Sequence, residues 1–326
     1  MKYLTNPSTD PHYNMAFDEY ALEKLTAAEP VFFLWRNRPS VIIGLNQNAY
    51  AEVNLPYLQE NGILLARRVT GGGAVYHDLQ NLNYTVTGAI RDLEKDGEAY
   101  LRLVGDALRQ LGVPVEVSGR NDLLVNGRKC SGYAKRISRN RLMIHGTLMF
   151  DVDVEALTNA LSVPGSKLMA VGIASVRSRV GNLKEFLPGF SDVRQLQEAL
   201  QEILSHGDGE IPVPEDARRE IEQDAARKFR SWEWIYGHSP AAGFRCIRKF
   251  PCGTVEASFS LRSGRISGLR FGGDFLGGLS PVSLEEALEG CRFTREDILS
   301  VLEQHPARLY FDRMDNDGIL SLMELS

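Results

Sequence analysis

The stretch RRVTGGGAVYHD, Arg67 to Asp78, constrains this chain more than any other. Three consecutive glycines, Gly71 to Gly73, are costly to order, because glycine loses the most backbone freedom on folding. Such a run marks a sharp turn or a close backbone approach. ILLARRV leads in and GAVYHD leads out, so the stretch predicts strand, glycine turn, strand. The N–H groups of such a turn can converge on one concave spot, which suits phosphate oxygens. Arg67 and Arg68 beside it predict a negatively charged ligand. No GKS or GKT follows, so this is not a P-loop, and strand rather than helix follows, so it is not a dinucleotide fingerprint. On spacing alone, the stretch reads equally as a hairpin bend with surface arginines.

Around that turn the chain reads as mixed α/β. NMAFDEYALEKLTA, from Asn14, spaces Met15, Ala16, Tyr20 and Leu22 for a helix with acids in its early turns. VFFLWRN and SVIIGL read as paired strands across Arg38–Pro39. NLNYTVTGAI alternates Leu82, Tyr84 and Val86, the pattern of a half-buried strand. GEAYLRLVGDALRQLGV is an amphipathic helix closed by Gly112 and Pro114. Asn126–Gly127, between DLLV and RKCSG, is the strongest hairpin signal. RLMIHGTLMF is a further strand and DVEALTNAL a short helix, and GDGEIPVPED separates two polar helices. After GHSPAAGF the character changes to a hairpin turning at Ser263–Gly264, then the helices SLEEALEG and REDILSVLEQH. The expected domains are residues 1–243 and a small αβ domain over 244–326.

Composition closes several classes. A net charge of -5 over 326 residues argues against a general nucleic-acid binder. The start, MKYLTNPSTDPHYNM, lacks the apolar core of a signal peptide, and the longest apolar runs are too short to span a bilayer. Cys130, Cys246, Cys252 and Cys291 form neither a CxxC pair nor a disulfide framework. The expectation is a cytoplasmic protein with no nucleic-acid or membrane partner. In DRMDNDGILSLMEL the calcium-loop register puts Arg313 at the first ligand position, which excludes calcium.

Three further residue groups can carry chemistry. Lys129 is a compact point charge able to neutralise phosphate or carboxylate, though alone it reads as a solvated strand residue. Asn121–Asp122 could offer Mg²⁺ a carboxylate oxygen, or equally start a strand or cap a turn. His145, in an apolar strand, reads as a hydrogen-bonded structural group with a supporting role.

In order, RRVTGGGAVYHD, NLNYT, NDLLVNGRKCSGYA, HGTLMFDVD and GIASVRSRVGNL resemble the successive motifs of lipoate-protein ligases. The resemblance covers the first two hundred residues and extends more loosely to the family's C-terminal accessory domain. It implies an α+β fold: a biotin/lipoate-ligase-like catalytic domain with mixed sheets, plus that small αβ domain. It implies a monomer that uses ATP and Mg²⁺ to turn lipoate into lipoyl-AMP. The lipoyl group then passes to a lysine of a lipoyl domain, in a 2-oxoacid dehydrogenase E2 subunit or the glycine-cleavage H protein. By resemblance, Arg68 and the backbone of Gly73, Ala74, Val75 and Tyr76 contact ATP or the adenylate, with Asn121, Asp122 and Arg177. Lys129 is the catalytic lysine that touches the lipoyl carboxylate and the α-phosphate, and Asp122 is the candidate Mg²⁺ ligand. Arg177 and Arg179 lie in the segment similar to the adenylate-binding loop. Lipoate would contact Lys129, Gly72, His145 and Trp35. Its apolar tail needs a tunnel, with Trp35, Val41 and Ile43 as walls and Gly44 leaving room.

Two unit charges about 4 Å apart repel by roughly 4 kcal/mol at an effective dielectric near 20, so joining a carboxylate to a triphosphate requires cations and oriented amides. Cys130 stands where the family usually carries an aliphatic residue. Related transferases form an acyl-thioester on cysteine without ATP, so an ATP-independent octanoyl or lipoyl acyltransferase is the second reading. Strand alternation should send Cys130 to the core if Lys129 faces the ligand.

Overall fold

Asp10 opens the first helix, α1 (Pro11–Glu23), accepting hydrogen bonds from His12 N and Tyr13 N, with Pro11 at the position where a missing N–H matters least. The cap starts the helix before Asn14, where apolar spacing alone would start it. The computed structural model describes residues 1–118, 122–161, 180–239 and 242–325. They form two units: Met1–Leu45 with Glu52–Asn54 and Asn61–Ser231, and Asn46–Ala51 with Leu55–Glu60 and Trp232–Ser326.

The first unit is built on a seven-stranded mixed sheet in the order β1-β2-β6-β10-β9-β8-β7. The strands are β1 (Lys2–Tyr3), β2 (Val31–Trp35), β6 (Asn81–Ala89), β7 (Val115–Ser118), β8 (Asp122–Val125), β9 (Arg128–Ser138) and β10 (Arg141–Met149). The expected pairing of VFFLWRN with SVIIGL does not occur. All five residues of β2 are buried, and it lies inside the sheet between β1 and β6, where both its faces are covered. SVIIGL instead supplies β3 (Ser40–Ile43), the centre of a separate three-stranded sheet, parallel to β4 (Leu64–Arg67) and antiparallel to β5 (Val75–His77). The glycine stretch is therefore not a hairpin bend. It leaves β4 on one side of β3, passes the end of β3, and enters β5 on the other side.

One face of the large sheet, with Leu82, Tyr84 and Val86, packs on the apolar faces of α2 (Leu93–Gln110) and α4 (Val193–Ser205). The helix α3 (Val154–Ala160) lies between these in sequence. The other face of β6 is also buried, although it is polar: Asn81, Asn83, Thr85 and Thr87 are each at most 1 % exposed. The strand predicted as half-buried is buried on both sides. At the sheet's edge Tyr3 bridges Glu210, and Ile211 N donates to Tyr3 O at 2.8 Å. The helix α5 (Glu215–Asp224) follows.

The second unit holds an antiparallel meander of β11 (Ala242–Phe250), β12 (Gly253–Arg262) and β13 (Arg265–Gly273), with Ser263 and Gly264 both at positive φ in the expected turn. Helices α6 (Val282–Leu288), α7 (Arg295–Gln304) and α8 (Asn316–Leu322) share its apolar core. Asp315, from the segment that mimics a calcium loop, caps α8 by accepting from Gly318 N. Tyr50 belongs to this core, donating to Phe293 O at 3.2 Å and packing on the Phe293 and Tyr236 rings. Residue 244 falls inside β11, and the unit reaches back to Trp232. Among the described residues, no helix is long and apolar enough to cross a membrane.

Candidate active site

The glycine loop rests directly on the end of β3. A Cβ on Gly44 would collide with the carbonyl oxygen of Gly72, so only glycine permits that approach. Arg68 then staples the loop. Its Nη1 donates to Ile42 O at 3.0 Å, its Nη2 to Gly71 O at 2.7 Å and Gly73 O at 2.8 Å, and its Nε to Thr70 Oγ1 at 3.0 Å. Arg68 is 6 % exposed, and burial pulls its pKa down to about 10, so it stays a cation at neutral pH. Arg67 faces the other way. It is fully buried and donates to Gly44 O and Leu45 O, so its charge serves the fold and not an anionic ligand, contrary to the expectation for both arginines.

The second cation comes from the β8–β9 hairpin, turned by Asn126 and Gly127 at positive φ. Leu123 pairs with Ser131 and Leu124 with Lys129, a bulge that leaves Cys130 without a partner on β8. Cys130 is fully buried in the apolar core, its Sγ donates to Leu123 O, and burial pushes its thiol up to about 12. Lys129 Nζ pairs with Asp122 Oδ1 at 2.8 Å, and both side chains are over a third exposed. The lysine lies over Gly132, where a Cβ would come within 2.9 Å of Nζ. Gly181 N donates to Lys129 O, so the chain that follows residues 162–179 rejoins the sheet beside this lysine. Asn121, Arg177 and Arg179 lie outside the described residues.

A chain of buried hydrogen bonds runs behind the loop. Trp35 Nε1 donates to Thr85 Oγ1 at 2.9 Å, and Thr85 Oγ1 donates to Asp18 Oδ1 at 2.7 Å. Asp18 Oδ2 meets His145 Nδ1 at 2.7 Å, and His145 Nε2 meets Thr70 Oγ1 at 2.7 Å. Thr70 Oγ1 also accepts from Arg68 Nε, so the indole, the imidazole and the loop staple are held as one network. Sequence reasoning missed Asp18, counting it among the acids of an early helix turn. Its signal was a carboxylate directly after Ala16 and Phe17, on the buried face of α1.

These elements enclose a cavity of about 380 Å³, the size of a small-molecule site. Arg68, Gly72, Gly73, Ala74 and Val75 line it from the loop and β5; Asp122, Lys129, His145 and Trp35 line it from the large sheet. Tyr76 does not line it: this buried residue pairs with Val41. Val41 and Ile43 are fully buried on the far side of β3, and Ile42 between them takes the wall position. The choice of walls was one residue out of phase, which on a strand means the opposite face. Gly44 makes room for the Gly72 carbonyl, not for a ligand tail. Met15, His77, Asn83 and Thr147 also line the cavity and were not expected to. Among the lining residues, Asp122 carries the carboxylate. That fits Mg²⁺, which binds through one or two carboxylates and takes its other ligands from phosphate and water.

Residues 10–205 match the model of the lipoyl protein ligase A/B catalytic domain, and residues 239–323 that of the bacterial lipoate protein ligase C-terminus. The chain is 36 % identical over 330 residues to lipoate-protein ligase LplJ of Bacillus subtilis, covering 99 % of this chain and 100 % of that one. A bipartite lipoate protein ligase of Thermoplasma acidophilum, studied with its E2 lipoyl domain, is 29 % identical with a TM-score of 0.66, over 73 % of this chain and 96 % of that one. A lipoate-protein ligase A solved with ATP bound is 27 % identical with a TM-score of 0.64, over 73 % and 98 %.

Proposed function

The chain belongs to the lipoate-protein ligase family, and on that premise we propose how its residues divide the work of an ATP-dependent ligase that makes lipoyl-AMP and passes the lipoyl group to a lysine of a lipoyl domain. The observation that carries this reading is the meeting of two differently held cations, Arg68 and Lys129, at one cavity with an aromatic far wall. The loop backbone from Gly73 to Val75 receives the phosphates, and Arg68 holds it in shape and adds its field. Lys129 exchanges Asp122 for the substrate carboxylate and the α-phosphate. A carboxylate oxygen attacks the α-phosphorus, that P–O bond forms, and the bond to pyrophosphate breaks. Lys129 stabilises the charge shared between the attacking oxygen and phosphorus. The acceptor lysine's amine then displaces AMP from the acyl carbon.

Mg²⁺ arriving with ATP would neutralise phosphate charge, and Asp122 is the residue that would hold it. Asn121 and Arg177 remain candidates for the adenylate on the family resemblance. Residues 1–243 would carry the catalysis and 244–326 the accessory role, in a cytoplasmic monomer. Its acceptors would be E2 subunits or the glycine-cleavage H protein.

The acyltransferase alternative needs Cys130 as a nucleophile. A fully buried thiol with its pKa near 12 does not supply one. The deciding measurement is ATP–pyrophosphate exchange with lipoate and no acceptor protein. We expect lipoate-dependent exchange. Acyl transfer from a carrier thioester at full rate with no nucleotide would overturn the reading.

A further inference from the structure

Cross-strand register lays a straight row over the large sheet. Trp35 stands opposite Asn83, and Asn83 opposite Thr147. Gly132 N donates to Thr147 Oγ1, and Gly132 stands opposite Asp122. Directly paired residues share a face. Lys129 Nζ lies over Gly132 and fixes the carboxylate end of the row. Strands are about 4.8 Å apart, so Asn83 is two strands, or about 10 Å, from that end. An extended eight-carbon acid covers a similar length, which brings its tail to Asn83 and Trp35. His77 stands at the same end, its ring edge-on to Trp35 with centroids 6.2 Å apart.

That end is not purely apolar. Asn14 Nδ2 donates to the carbonyls of Ser8 and Arg36, which can only accept, so the same amide nitrogen faces Asn37 Oδ1. Asn37 therefore turns its Nδ2 toward His77 Nδ1, at 3.0 Å. His77 Nδ1 must accept, and the ring's proton sits on Nε2. Burial, helped by the nearby Arg68 charge, pulls the His77 pKa down to about 3, which keeps the ring neutral. His77 Nε2 has no partner among the described residues, and neither has Asn83 Nδ2, whose Oδ1 accepts from Asn81. The two residues are 3 % and 1 % exposed. Trp35 adds no donor, because its Nε1 is committed to Thr85.

We propose that His77 and Asn83 form a hydrogen-bonding station at the far end of the cavity, which selects an acyl tail carrying sulfur over an all-carbon tail of the same length. The inference rests on the adenylating reading above. A dithiolane brings two sulfur atoms, which are weak acceptors and also pack well against an indole. An octanoyl tail brings no acceptor, and both buried donors then stay unmade, which is unfavourable. A site built to donate hydrogen bonds discriminates against the analogue that cannot accept them.

The experiment compares pyrophosphate exchange with lipoate and with octanoate in wild type, His77→Phe and Asn83→Leu. The lipoate-to-octanoate ratio of kcat/KM should fall about tenfold in each variant. Equal losses for the two acids would mean that these side chains only shape the cavity, and the proposal would be wrong. Nitrogen-15 NMR of the wild-type histidines gives a second reading that no folding defect can blur. The His77 Nε2 proton should shift downfield with lipoate and not with octanoate; identical shifts with both acids overturn the station. If neither acid supports exchange, the ligase reading fails instead, and the NMR comparison still tests binding.

Discussion

The glycine loop and the β8–β9 hairpin each bring one cation to the same cavity, and they hold it in opposite ways. Arg68 is buried and committed to three backbone carbonyls and a hydroxyl, so removing it removes the loop's shape. Lys129 has a single carboxylate partner and a half-exposed side chain. Ion pairs of that kind are worth little in the folded state, so Lys129 can leave Asp122 for a ligand at small cost. The first cation is preorganised architecture and the second is available chemistry. Fixed dipoles need no reorganisation, while a loosely paired cation is free to change partners.

Four substitutions separate the two modes of holding a cation. Lys129→Ala should slow single-turnover adenylation a hundredfold or more, about 3 kcal/mol in the barrier, with an unchanged thermal midpoint by circular dichroism. A near-wild-type rate would return Lys129 to the class of solvated strand lysines. Arg68→Lys keeps the charge but not the fork that reaches several carbonyls. Urea unfolding should show a loss of roughly 2–3 kcal/mol, the scale of leaving buried partners unpaired. Unchanged stability would mean that the loop holds itself. Gly44→Ala leaves both cations in the sequence but pushes on the Gly72 carbonyl and crowds the Arg68 guanidinium. We expect about 1–3 kcal/mol of destabilisation, as for overpacking, with adenylation lowered alongside. Cys130→Val should do least, changing stability by under about 1.5 kcal/mol and leaving most ligase activity, because the position next to Lys129 faces the core. A folded but inactive Cys130→Val protein would revive the thioester route.

Local chemistry was legible and long-range pairing was not. Asn126–Gly127 announces its own hairpin, because two residues at positive φ suffice to specify it. The ordered motifs pointed to the glycine loop, Arg68 and Lys129 together. Nothing local says that Val31–Trp35 pairs with a strand some fifty residues on, and so the two apolar runs around Arg38–Pro39 were joined. The period-two pattern of Asn81 to Thr87 was read correctly as alternation and wrongly as exposure. Asn83 lines the cavity and Thr85 joins the buried hydrogen-bond chain to Asp18, and a single sequence cannot separate a polar face turned to solvent from one turned to such an interior. Asp18 was hidden for the same reason, since a carboxylate on a helix is ordinarily wet. The phase error at Val41 and Ile43 shows how little a short apolar run reveals about which side it presents.

The bridge from Tyr3 to Glu210 carries a consequence for biosynthesis. A chain made from its amino end exposes β1 long before the partner segment at Glu210 and Ile211 has left the ribosome. The intervening strands can assemble first, but the sheet edge at β1 stays open until more than two hundred residues have been translated. Contacts of such separation form late, because their loop-closure entropy must be met before they contribute. A nascent chain paused before Glu210 would therefore carry an unclosed edge, the kind of surface that chaperones hold and that premature termination leaves exposed.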